Sequence, residues 1–142
     1  MLDTIEKATE NFCVHQMGTS ITNKNDIDDM QIFITYIDVK RDNSQNYRIY
    51  IMPNRNFIQN VAEIFLDEAI SDEKTLKDMA LETANLIVGS AKVLAQSNEN
   101  NFVIETPHFE NIGIFHYIYD NKKTLSIDST KNITLAIKEI DV

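Results

Sequence analysis

The stretch Leu76 to Gln96, LKDMALETANLIVGSAKVLAQ, limits the fold more than any other part of the chain. It reads as one long helix. At about 100° per residue, Asp78, Glu82, Asn85 and Gly89 fall within a narrow arc. Lys74, Lys92 and Gln96 extend that polar strip. Leu76, Ala80, Thr83, Ala84, Ile87, Ala91 and Leu94 take the opposite side, and Leu81, Val88 and Ala95 widen the apolar zone. Leu86 and Val93 flank the strip. A helix apolar nearly all round belongs in a core. This one keeps a single seam open, and its acids, amide and glycine need an explanation.

The other elements follow from period and punctuation. Leu2 to Met17 predicts a first helix, with Leu2, Ile5, Ala8 or Thr9, Phe12 and Gln16 at helical spacing and Gly18 to end it. Asn23 to Asp29 reads as a polar loop. Met30 to Asp38 and Asn46 to Met52 are rich in β-branched and aromatic residues and predict an antiparallel hairpin. Asn54 or Asn56 can cap a second helix after Pro53, with Phe57, Val61, Ile64, Phe65 and Ala69 on its buried face. Ser71 is the expected N-cap of the long helix, which runs to about Ser97 and ends in a turn over Asn98 to Asn101. Phe102 to Glu105, Asn111 to Tyr119, Lys123 to Asp128 and Ile133 to Ile140 read as strands. Element order suggests a faint repeat, Leu2 to Met52 against Thr75 to Ile140. The expectation is an α+β domain spanning residues 1–142, long helices on a mixed or largely antiparallel sheet.

Composition removes several classes of function. With 142 residues the chain can bury a core without staples. A net charge of −9 argues against nucleic acid or an anionic membrane as partner. Cys13 is the only cysteine, so no intrachain disulfide and no zinc cage can form, and a reduced cytoplasmic setting fits best. The N-terminal MLDTIEKATE is not a signal peptide, and no run of about 18 apolar residues occurs.

Most candidates for chemistry have plainer explanations. His15, His108 and His116 lack ligand spacing, and Cys13 has no evident activating neighbour. Asn25 to Asp29 lacks the central glycine and closing glutamate of a calcium loop. Three glycines cannot build a phosphate cradle. An acid and an amide at i, i+3 are common on any solvated helix.

Context separates Glu82 and Asn85 from that background. Asp78-x-x-x-Glu82-x-x-Asn85, followed by twenty-one residues and then Pro107, resembles the signature of the CheC/CheX/FliY chemotaxis phosphatases. ETANLIVGSAKVLA and the later VIETP carry the likeness, with Gly89 also where CheX-like sequences have glycine. The proline lies about one residue early. CheC and FliY carry two such motifs. Here Glu6-x-x-Thr9 and Glu10-x-x-Cys13 lack the asparagine, so the likeness is closest to CheX, with one site.

The resemblance implies a CheX/CheC-like fold and a protein aspartate phosphatase acting on a phosphorylated CheY-type response regulator. An acyl phosphate is already reactive; hydrolysis needs chiefly a water held in line behind phosphorus. Asn85 suits that task, because an amide both accepts and donates and carries no charge to repel the phosphoryl oxygens. Glu82 would dock on the regulator's lysine. Asp78, Leu86, Gly89, Val93 and Pro107 would meet the partner. The family implies no cofactor of its own, with Mg²⁺ supplied by the regulator, and a homodimer for which the strand-rich C-terminus offers an edge. The alternative is a FliM-like switch adaptor, which binds the regulator without hydrolysis and lacks the Glu–Asn pair.

Overall fold

The computed structural model describes residues 1–24, 32–41, 45–96 and 102–140. Among the described residues, three helices, α1 (Leu2–Gln16), α2 (Arg55–Leu66) and α3 (Glu73–Gln96), accompany seven strands. These are β1 (Thr22–Lys24), β2 (Ile32–Arg41), β3 (Asn46–Pro53), β4 (Phe102–Ile104), β5 (His108–Gly113), β6 (Asn121–Ser126) and β7 (Asn132–Ile140). All pair antiparallel in one sheet of order β1-β6-β7-β3-β2-β4, with β5 continuing beyond β4 along the same side of β2. The α+β expectation therefore holds, and the sheet is antiparallel throughout.

The faint repeat is explicit in the strand order. Exchanging β1 with β4, β2 with β6 and β3 with β7 returns the same order read backwards. The helices obey the same exchange: α1 packs over β6 and β7, and α3 over β2 and β3. The two helices also pack on each other.

The main core lies between the helices and one sheet face. Phe33, Ile37, Val39, Ile49 and Ile51 alternate inward from β2 and β3, against Phe57, Ile58, Leu76, Ala80, Ala84 and Ile87. A smaller cluster, Ile32, Ile34, Tyr50, Met52 and Ala136, occupies the other face. Residues 114–119 cover it, with Phe115 and Tyr117 packed inward.

That cover corrects one expectation. Asn111 to Tyr119 is not a single strand: β5 ends at Gly113, and 114–119 form no ladder. The alternation in IFHYIY is real, but it comes from a segment lying on the sheet, with Ile118 75% exposed, rather than paired at its edge. Three further corrections concern helix ends and loops. Asp72, not Ser71, caps α3: its Oδ1 accepts the Thr75 N–H at 2.8 Å, while the Ser71 N–H donates to Gln59 Oε1. On α2 the stripe is Phe57, Ile58, Val61 and Ala62; Ile64 is 44% exposed and Ala69 lies past the helix end. Thr22 to Lys24, expected to lead into and begin a polar loop, pairs with β6. The polar loop expected over Asn25 to Asp29 and the turn expected over Asn98 to Asn101 lie outside the described residues.

Candidate functional site

The seam on α3 is open as its periodicity requires. Asp78, Glu82 and Asn85 are exposed, while Leu76, Met79, Ala80, Thr83, Ala84, Ile87, Val88, Ala91 and Ala95 are buried. The helix has 24 residues, so it spans about 36 Å, and the three polar groups follow one another turn by turn along its middle. Among the described residues, no hydrogen bond or ion pair engages the Asp78 or Glu82 carboxylates or the Asn85 amide. They are free to meet an outside molecule. Leu86 and Val93 stand beside them, 37% and 66% exposed.

Gly89 adds a flat place on this surface. A Cβ built there meets nothing within 4 Å among the described residues, so their packing does not require glycine. The mid-helix position also has no positive φ to explain it. Any need for a missing side chain must come from outside these residues.

Pro107 lies off the helix, in the break between β4 and β5, where a residue without an N–H interrupts the ladder on β2. Just before the break, the Glu105 N–H still donates to the Asp38 carbonyl at 2.9 Å. Two residues after Pro107, the Phe109 ring lies 5.2 Å from Lys77 Nζ on α3. The break is thus anchored near the N-terminal half of the helix, on the flank next to Asp78.

On the opposite flank lies α1. Asn11, Phe12, His15 and Gln16 line a groove of about 270 Å³ with Leu86 and Ser90. The residue sequence marked the α3 side of this groove but not the α1 side, because helical period says which face a helix buries and not which helix it meets. Glu6, in the position of a first-helix acid, is held by Lys123 Nζ at 3.0 Å. Burial pushes the Cys13 thiol up to about 12, with Glu10 adding to the effect, so it stays protonated and unreactive. His108 stacks on Tyr36 and His116 on Tyr117, both away from the seam. Among the described residues no three His, Cys, Asp or Glu side chains are grouped to hold a metal ion, and no helix is long and apolar enough to cross a membrane.

The whole arrangement, three helices on a pseudo-symmetric antiparallel sheet, is the fold of the CheX- and CheC-like chemotaxis proteins. Chemotaxis protein CheX from Vibrio vulnificus superposes with a TM-score of 0.80 at 14% identity, over 98% of both chains. A chain of the CheX–CheY–BeF₃–Mg²⁺ complex from Borrelia burgdorferi gives 0.70 at 17% identity, over 99% of this chain and 97% of that one. The FliM middle domain from Vibrio alginolyticus gives 0.56 at 8% identity, over 97% and 92%. The sequence matches no protein-family model and no curated protein. The resemblance read from the α3 motif is borne out at the level of the fold.

Proposed function

We propose that this chain is a CheX-type aspartyl-phosphate phosphatase acting on a phosphorylated CheY-type response regulator. The carrying observation is a coincidence of two independent facts. The sequence singles out the Glu82–Asn85 pair, and the pair lies unengaged among the described residues on the exposed seam of a CheX-like fold. The solved CheX–CheY complex supports the choice of partner.

Asn85 orients the attacking water, accepting its hydrogen bond while donating to an oxygen nearby. Glu82, one turn earlier, pairs with the regulator's lysine in a desolvated docking contact. Gly89 admits close backbone approach, and Leu86 and Val93 form an apolar rim. Asp78 and Pro107 complete the contact surface. Mg²⁺ arrives with the regulator, so the protein works without a metal or other cofactor of its own. The setting is cytoplasmic, with neither nucleic acid nor membrane as partner.

A homodimer belongs to the same proposal. β7 lies between β3 and β6, so among the described C-terminal strands the edge is offered by β5, which pairs only with β2. The FliM likeness keeps an adaptor reading in view, and the Glu–Asn pair speaks for the enzyme. Phosphate release from a phosphorylated CheY-type regulator, with and without this chain, tests the proposal. Faster release is expected. Tight binding with unchanged release supports the adaptor.

A further inference from the structure

We infer that the α1–α3 groove is a docking pocket for one apolar side chain of the regulator, making the groove-lining Asn11, His15 and Gln16 of α1 a specificity surface. The inference rests on the phosphatase reading of the seam and adds to it. Four observations carry it.

The groove opens beside the proposed chemistry. Leu86 flanks the seam and Ser90 lies one turn further along that flank, so the groove adjoins the seam on its α1 side. A stable interface covers about 800 Å² on each partner, a disc of about 16 Å radius. A partner with phosphorus at Asn85 cannot avoid the groove, which begins within one helical turn of that residue.

The size suits a side chain. About 270 Å³ falls below the roughly 300–1,000 Å³ of small-molecule pockets. The lining suits an anchor. Phe12 and Leu86 supply apolar walls, while among the described residues no hydrogen bond engages the polar groups of Asn11, His15, Gln16 or Ser90. On the same helix, by contrast, the Thr9 hydroxyl donates to the Ile5 carbonyl at 2.8 Å. An apolar centre within an unengaged polar rim is the anatomy of an interface anchor site.

Finally, the pseudo-symmetry leaves α1 beside α3 but without a Glu–Asn pair. Its acid Glu6 is occupied by Lys123. Docking without chemistry is the contribution such a helix can make.

The test uses full-length protein carrying His15→Trp or Ser90→Phe, with Glu10→Ala as a control on the same helix outside the groove. Two readouts are taken: titration with a BeF₃⁻–Mg²⁺-activated CheY-type regulator, and steady-state decay of the phosphorylated regulator. His15 is exposed, so the tryptophan blocks the groove mouth without entering the core. Both groove variants should raise Kd and KM about tenfold with kcat unchanged, and Glu10→Ala should alter neither. A His15→Trp protein with wild-type Kd and KM overturns the groove while leaving the phosphatase reading intact. If wild-type protein binds but does not hydrolyse, the phosphatase reading fails and the Kd values alone decide the groove. Absence of both binding and hydrolysis in the wild type removes both.

Discussion

Gly89 and Thr83 are two positions on α3 where the folded chain does less well than a simple substitution would. Glycine in a helix interior is about 0.5–1 kcal/mol less stable than alanine, and among the described residues nothing lies within 4 Å of the added Cβ. Gly89→Ala should therefore raise the melting temperature and, on the proposed function, weaken regulator binding. Thermal melts and a binding titration on one preparation check both halves; a variant that binds as well as wild type removes Gly89 from the interface. Among the described residues, the buried Thr83 hydroxyl has no hydrogen-bond partner. Thr83→Val keeps the shape and removes the orphan, so unfolding in urea should show a gain of about 1 kcal/mol. The seam residues were legible in the sequence because a 3.6-residue period sorts exposed from buried without knowledge of the partner elements. The Thr83 orphan was not, since the period marks it as buried without showing whether a carbonyl lies in reach.

Among the elements, α2 is both capped and tethered by one side chain, Asn54. Asn54 Oδ1 accepts the Phe57 N–H at 2.9 Å and the Asn132 N–H at 3.2 Å, while its Nδ2 donates to the Thr130 carbonyl at 2.9 Å. One amide thus caps the helix and ties it to the β6–β7 turn. Asn54→Ala should cost about 2–3 kcal/mol in a denaturant titration, the loss of a cap together with buried groups left unpaired. A loss no greater than that of an exposed cap would show that the tie to β7 contributes nothing. The sequence named Asn54 or Asn56 as the cap, from residue type next to Pro53. Its second role joins residues 76 or more apart, and no local pattern reports that. The 114–119 segment teaches the same lesson: alternation records one buried side, whether that side faces a neighbouring strand or a sheet underneath.

At the scale of the molecule, the sheet order supplies what the residue pattern only hinted at. α1 and α3 occupy equivalent places, yet the Glu–Asn pair is on α3 alone. One site per chain is the expected consequence. Alanine at both Glu6 and Glu10 should leave regulator dephosphorylation nearly unchanged per folded molecule, although loss of the Glu6–Lys123 contact should lower the melting temperature slightly. A large fall in turnover with the fold intact would assign chemistry to α1. Helices and most strands were readable because their apolar periods are local. The neighbour relations were not, because β7 beside β3 and α1 beside α3 are contacts between distant parts of the chain.

The most direct measurement is the decay rate of a phosphorylated CheY-type regulator against the concentration of wild-type, Asn85→Ala and Glu82→Ala protein, beside a binding titration of each. The account predicts about 10²-fold slower maximal decay for Asn85→Ala with affinity nearly unchanged, and weakened, less salt-sensitive binding for Glu82→Ala. Full activity in Asn85→Ala would contradict it.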